Sequence, residues 1–169
     1  YSMQDSQSNR KVPVNFAKKF VQMEVGYSLG NPVTYVSKSN NSDLINTIEN
    51  NISSWSKAQD QRLRKESEIF GVSYELNYID SNGEFAAETL TPQNCFVLTD
   101  GTSENSVVLG MHYFVKDYDI NNTNLEDINT RKEYLDVYLP GRIIHYDATG
   151  GVLIHLGEDT NIFPKVPII

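Results

Sequence analysis

Three histidines are the residues of this chain that come closest to a metal-binding pattern. His145 and His155 lie on two predicted strands joined across Gly150-Gly151, with Asp147 close by. Imidazole and carboxylate groups are common zinc ligands, and His112 could complete such a set. Whether the two histidines meet depends on the turn between their strands.

Two turn geometries place these histidines differently. If the loop has an odd number of residues, His145 and His155 face each other across the ladder and could bind a metal with His112. If the connection is a two-residue turn at Thr149-Gly150, His145 pairs with Ile154 and the two histidines point to opposite faces. The second kind of turn is the commoner one, and no fourth ligand is evident in the sequence. We therefore predict no metal site.

The chain also lacks the sequence signatures of the common catalytic sites. Cys95 is the single cysteine and has no signature of a thiol nucleophile around it, so we interpret it as a small buried apolar residue. There is no P-loop, no G-x-G-x-x-G turn and no G-x-S-x-G elbow. We predict that the chain is not an enzyme, that it has no catalytic residue and that it binds no cofactor.

The charge of the chain argues against a grip on nucleic acid. The net charge is −8, whereas DNA-binding domains are usually basic because phosphate neutralisation supplies much of their affinity. The densest basic patch is Arg62, Arg64 and Lys65, and the other basic residues considered are Arg10, Lys11, Lys18 and Lys19. On a helix, the patch would be neutralised by i,i+4 pairs, which are Asp60–Arg64, Arg64–Glu68 and Arg62–Glu66.

The aromatic residues, 10 tyrosines and 7 phenylalanines, could stack on nucleotide bases. Their spacing favours a core instead. Tyr74 and Tyr78 alternate with polar residues as in a strand, and Phe16 and Phe20 repeat at helical spacing. We expect these side chains to pack inside the protein.

The first element that must position these residues is an amphipathic helix within residues 12–36. Its predicted apolar stripe is formed by Phe16, Phe20, Met23 and Tyr27, with Ala17, Val21 and Val25 one position along. A stripe of this width is expected against a core. Pro13 suits the first turn, the helix ends at Gly30-Asn31-Pro32, and a short strand is predicted over 33–36.

The remaining pattern is helical first and antiparallel β afterwards. Asn40-Asn41-Ser42 offers caps for a short helix whose apolar residues are Leu44, Ile45, Ile48 and Ile52. A further helix is predicted over 59–70 with Gly71 as its C-cap. From Val72 the apolar period becomes two, and strands are predicted over 72–78, 85–90, 95–98, 107–118, 134–139, 143–146 and 152–156. Asn82-Gly83 predicts a hairpin, 107–118 a central strand and 121–130 a loop. The fold class predicted is α+β, with N-terminal amphipathic helices followed by a largely antiparallel β-sheet region.

Several short motifs follow one another in a distinctive order. They are Asn15 in the first helix, Tyr27-Ser-Leu-Gly30 with Pro32, the helix-to-strand corner 66–76, the hairpin Asp80-Ser-Asn-Gly83, the corner Thr91-Pro92-Gln93-Asn94, the strand 134–138 and the terminal run 163–169. In this order they resemble the N-terminal part of portal proteins from long-tailed double-stranded DNA bacteriophages. The resemblance covers nearly the whole chain.

The resemblance implies a domain organisation. Residues 12–169 would form the wing-like α+β domain of a portal protein, preceded by a flexible lead-in over 1–11. The stem, clip and crown of the family would be absent. The apolar run 166–169 has no evident element to pack against, which we also take as the sign of a fragment.

The resemblance also implies a function without bond chemistry. A portal is a homo-oligomeric, dodecamer-like ring at one capsid vertex of the virion, assembled in the bacterial cytoplasm from a phage or prophage gene. DNA is packaged and ejected through it without specific binding, and terminase, capsid or scaffold proteins and head-tail connector proteins dock on it. No membrane is involved, since no apolar run approaches the roughly 20 residues needed to cross one. The alternative is a small-molecule or peptide-binding α+β module built on strand 107–118 and loop 121–130; a hydrolase is disfavoured by the missing motifs.

Overall fold

The computed structural model describes residues 15–52, 54–116 and 131–169, and it confirms the predicted α+β class with the helices first. The elements are α1 (Phe16–Leu29), α2 (Ser42–Ile52), α3 (Ser56–Phe70), β1 (Tyr74–Ile79), β2 (Phe85–Leu90), β3 (Cys95–Thr99), β4 (Val107–Lys116), β5 (Lys132–Leu139), β6 (Arg142–Asp147) and β7 (Ile154–Thr160). The predicted lead-in 1–11, Pro13 and the predicted loop 121–130 lie outside the described residues.

Helix α1 begins where its side-chain cap lies. The Lys18 backbone N–H donates to Oδ1 of Asn15 over 2.9 Å, which satisfies one of the free amides of the first turn. The helix ends at Leu29, next to the predicted Gly30-Asn31-Pro32 stop. The strand predicted over 33–36 is wrong, because that segment has no regular secondary structure and belongs to neither sheet.

The next two helices are capped by the residues that the sequence indicated. The Leu44 N–H donates to Oδ1 of Asn41 over 3.1 Å, so α2 begins immediately after that side chain. At the end of α3, Gly71 adopts a left-handed conformation with φ 80°. Its N–H donates to the Ser67 carbonyl over 2.8 Å, and a β-carbon at this φ would be strained.

The hairpin predicted at Asn82-Gly83 is confirmed as the link between β1 and β2. The two strands pair antiparallel from Tyr74↔Leu90 to Ile79↔Phe85. The turn is held by Asp80, whose Oδ1 accepts the N–H of Asn82 at 2.8 Å and that of Glu84 at 2.9 Å. These bonds lower the pKa of Asp80, the one from the Glu84 N–H most strongly.

Strands β3 to β7 form a separate five-stranded antiparallel sheet in the order of the chain. Strand β4 is interior, with β3 on one side and β5 on the other, although β5 occupies the middle position. Because each strand pairs with the next one along the chain, the sheet is a meander, and its side chains alternate between two faces.

The core lies between the two sheets and is completed by the last residues of the chain. It contains Leu76, Leu90, Cys95, Tyr138, Val166 and Ile168. Glu75 and Ile169 exchange two backbone hydrogen bonds of 3.0 Å, which place Ile168 opposite Leu76. The expectation that the run 166–169 has nothing to pack against is therefore wrong, because the free edge of β1 receives it.

Gly110 makes room for this terminal segment on the sheet. A β-carbon at residue 110 would lie 2.7 Å from Cδ1 of Ile168, a side chain with no solvent exposure. The absence of a side chain on β4 therefore lets Ile168 pack directly on the sheet backbone.

Candidate functional site

The histidines of β6 and β7 do not converge on a metal site. His145 pairs with Gly157, whereas Tyr146 pairs with His155, because β7 has one extra residue at this point. This bulge directs the two imidazoles to opposite faces of the sheet. The connection spans 148–153 and contains a short 3-10 helix, so the two-residue turn and the pairing of His145 with Ile154 are both wrong. Within the described residues no group of three or more His, Cys, Asp and Glu side chains is arranged to hold a metal ion.

His145 instead joins three strands through two carboxylates. Its Nδ1 lies 2.6 Å from Oδ1 of Asp136 on β5, and its Nε2 lies 3.2 Å from Oδ2 of Asp159 on β7. Partial burial by itself lowers the pKa of His145, but hydrogen bonds and charge from Asp136, and then from Asp159, outweigh it and raise the pKa. The imidazolium form is therefore the one that this arrangement stabilises.

His112 and Cys95 lie side by side within the core-facing side of the sheet. They are paired across β3 and β4, and both are buried. Burial lowers the pKa of His112 against the opposing charges of Glu88 and Asp136, and it raises the pKa of the Cys95 thiol to about 11. A thiol with that pKa is protonated at neutral pH. The place of Cys95 in the core cluster confirms its interpretation from sequence as a small buried apolar residue.

The basic residues of α3 are held by carboxylates. Arg64 pairs with Glu68, as predicted, and its Nη2 also lies 3.2 Å from Oε1 of Glu24 on α1. The predicted pair with Asp60 is not formed. Glu66 contacts Lys65 over 3.1 Å and makes no pair with Arg62, contrary to the prediction. Arg10 and Lys11 lie outside the described residues.

Helix α1 presents its predicted apolar stripe to solvent, which corrects the sequence interpretation. The α1 stripe, defined as Phe16, Phe20, Met23 and Tyr27, is between 63% and 91% exposed. The half-buried positions are Val21, Val25 and Leu29, which form the side of the helix turned toward α3. The expectation that Phe16 and Phe20 pack inside is therefore wrong. Tyr74 does pack against the core, whereas Tyr78 is 39% exposed and does not meet the same expectation.

A second apolar surface lies on the side of the five-stranded sheet that faces away from the core. The outer sheet face is defined as Phe96, Leu98, Met111, Leu135, Val137 and Ile144, which share one side by register. Phe96 is 53% exposed and Leu98 48% exposed. The other four are half-buried by their neighbours within the sheet.

These two surfaces are the candidate functional site of the chain. Large apolar patches exposed on a protein commonly mark contacts with other proteins or with membranes. Among the described residues, no helix has both the length and the apolar character needed to span a lipid bilayer.

The comparison with known families agrees with the order of motifs in the sequence. A search of curated proteins finds no match to the chain. The profile described as "Phage portal protein, SPP1 Gp6-like" matches residues 1–169, which are all the residues of the given sequence. The chain therefore belongs to the SPP1 Gp6-like family of phage portal proteins.

Proposed function

We propose that this chain is the wing-like outer part of a portal ring at one capsid vertex, through which DNA is packaged and later ejected. Phage portal proteins are structural components of the virion that assemble as oligomeric rings. In the proposed role, the intact protein forms a dodecamer-like ring on which terminase, capsid or scaffold proteins and head-tail connector proteins dock. The match to the portal family over residues 1–169 is the observation that carries this proposal.

The exposed apolar surfaces support a role in assembly. Four large apolar side chains of α1 are exposed, and apolar side chains stabilise a protein only when they are removed from water. A ring subunit covers such surfaces with its neighbours. We also propose, from the resemblance to portal proteins, that the stem, clip and crown of the portal lie outside this chain.

The charge supports a conduit for DNA. With a net charge of −8, this chain repels the phosphate backbone of the DNA that passes through the ring and does not hold it in place. The mechanism is then mechanical and electrostatic, and we predict that no residue of the chain breaks or forms a covalent bond. Assembly in the host cytoplasm from a phage or prophage gene belongs to the same proposal.

The alternative, a small-molecule or peptide-binding module, gains no support from the part of the chain that the structure describes. It depended partly on residues 121–130, which lie outside the described residues. The long strand β4 that it also used has its inner side in the core, with Gly110 against Ile168.

Electron microscopy of the intact gene product tests the proposed function. We expect rings with a central hole in negative stain, and a mass in light scattering that corresponds to a closed oligomer. A product that stays monomeric at micromolar concentration, with no ring in any field, would contradict the proposal.

A further inference from the structure

Among the described residues, the packing of α1 on α3 leaves the α1 stripe exposed. The opposite side of the helix is held to α3 by Val21 and Val25. Two polar contacts fix the same orientation: Arg64 to Glu24 at 3.2 Å, and the Gln61 side-chain amide to the Leu29 carbonyl at 3.2 Å. Rotating the helix to bury the stripe would break both.

The outer sheet face offers a flat apolar row across four strands. In register, Phe96 on β3 is opposite Met111 on β4, which is opposite Val137 on β5, which is opposite Ile144 on β6. Strands lie about 4.8 Å apart, so this row is roughly 14 Å long. Glu158 on β7 closes the row at one end, opposite Ile144.

The α1 stripe has the matching length. Phe16 and Tyr27 are separated by three helical turns, which at about 1.5 Å per residue corresponds to roughly 16 Å. One helix laid along the row would therefore place its large side chains over all four strands.

The charges at the ends of the two surfaces are also complementary. Lys19, three residues after Phe16 and four before Met23, lies beside the α1 stripe at the amino end of the helix; it is exposed and forms no ion pair within the described ranges. The end of the sheet row carries Glu158, whose carboxylate is half exposed and has only long contacts of 3.6 Å with Arg142 and 3.9 Å with His155. With the amino end of α1 over β7, Lys19 approaches this carboxylate.

From these matches we propose that, in the portal ring, the α1 stripe of each copy docks on the outer sheet face of the next copy. The inference rests on the proposed ring and names the surfaces that form it. Because the two surfaces differ, the contact is head-to-tail, which is the kind that generates rings and not closed dimers.

The size of this contact predicts how the chain behaves alone. Four side chains of the α1 stripe bury roughly 400–600 Å² per partner, compared with about 800 Å² per partner in a standard stable interface. We expect the 169-residue chain by itself to be a monomer or a weak oligomer. The ring then needs further contacts from the rest of the portal protein.

Cross-linking in the intact gene product tests the pairing directly. Met23 lies in the α1 stripe and Met111 in the outer sheet face, so M23C and M111C introduce one thiol on each surface. Cys95 is buried and protonated and is expected not to react, and cysteines outside this chain are replaced by serine. A bis-maleimide of about 10 Å spans a helix packed on a sheet.

The expected result is specific to a head-to-tail contact. The double variant gives a ladder of cross-linked multimers, a mixture of the two single variants gives dimers only, and each single variant alone gives no product. If M23C alone or M111C alone cross-links, like surfaces meet and the inference is overturned. Rings in the microscope without any cross-link between residues 23 and 111 overturn the inference and leave the proposed function intact, whereas absence of rings overturns both.

A pair of substitutions tests whether the contact contributes to assembly. Phe20→Asp places a charge in the α1 stripe, and Val36→Asp places the same charge at a more exposed apolar position outside it. We expect Phe20→Asp to lower the fraction of protein in rings by about tenfold or more and Val36→Asp to leave it unchanged. Circular dichroism verifies that both variants keep their fold, and an equal effect of the two substitutions overturns the inference.

Discussion

At the scale of single residues, His145 is the side chain with the most specific electrostatic environment. It is bracketed by Asp136 on β5 and Asp159 on β7, so one imidazolium links three strands of the sheet. Asp136 is largely buried, whereas Asp159 is mostly exposed, and the inner contact is therefore the stronger of the two. His112, next to Asp136 across the ladder, has a lowered pKa, because its burial disfavours the charged form.

The raised pKa of His145 predicts a pH-dependent stability. Because the pKa of His145 in the folded protein lies above the ordinary value of about 6.5, the contribution of His145 is fully present below about pH 6.5 and is lost as the pH rises through the folded pKa. We expect His145→Gln to cost about 1 kcal/mol at low pH and less at high pH. Urea unfolding at about pH 5.5 and about pH 9 measures the difference between wild type and variant.

His155→Gln is the matched control for this prediction. Its imidazole lies on the other face, with its ring centre 5.7 Å from that of Tyr146. Its Nε2 makes a long contact of 3.9 Å with Oε1 of Glu158. We expect it to change stability by the same small amount at both pH values. A cost of His145→Gln that does not fall with rising pH would contradict the raised pKa of His145 and its ion pairs with Asp136 and Asp159.

At the scale of elements, the last residues of the chain act as part of the core. They add a short antiparallel pairing to β1 and fill the space above Gly110. Ile168 has no exposed surface, while the next residue, Ile169, is 75% exposed, so two identical side chains stand side by side in opposite environments.

This contrast makes a direct test of the packing. We expect Ile168→Ala to lower the free energy of unfolding by about 2–5 kcal/mol, since it removes buried methylene groups and leaves a cavity. Ile169→Ala deletes the same atoms at a position exposed to solvent, and we expect it to change the free energy of unfolding by less than about 0.5 kcal/mol. Chemical denaturation of the two variants gives both values, and similar losses would show that the terminal segment is not packed as described.

At the scale of the whole molecule, the net charge of −8 disfavours binding to nucleic acid, and the exposed apolar surface is the basis of the proposed contact between copies. The acidic excess is spread over the chain, and Arg64, within its densest basic patch, is held by Glu24 and Glu68. Neutralisation of phosphates by free lysine and arginine side chains is thus weak, and like-charge repulsion dominates at long range.

We therefore expect no useful affinity of this chain for duplex DNA. Fluorescence anisotropy with a short labelled duplex at about 50 mM salt should give a Kd weaker than about 100 µM. The double variant Glu24→Gln with Glu68→Gln releases Arg64 and serves as the matched comparison; it is expected to bind more tightly than wild type. A wild-type Kd in the low micromolar range that weakens steeply with added salt would contradict the expected repulsion between this chain and DNA.

The sequence by itself determined the features that depend on neighbours along the chain. The caps at Asn41 and Gly71 and the turn at Asn82-Gly83 follow from local hydrogen bonds and local backbone strain, and these are properties of a few consecutive residues. The α+β order follows from the change of apolar period at Val72 for the same reason. The family could be recognised because its motifs are of this local kind.

Only the tertiary structure decided which apolar surfaces are covered. Periodicity shows that α1 has an apolar stripe, but the stripe is exposed and the less conspicuous Val21–Val25 side faces α3. The terminal Ile168 became core and the histidines were separated by a bulge, because both depend on pairing between segments far apart in sequence. An apolar pattern indicates that a surface is more stable when it is removed from water. Whether its own chain or another copy covers that surface depends on the packing of the whole molecule.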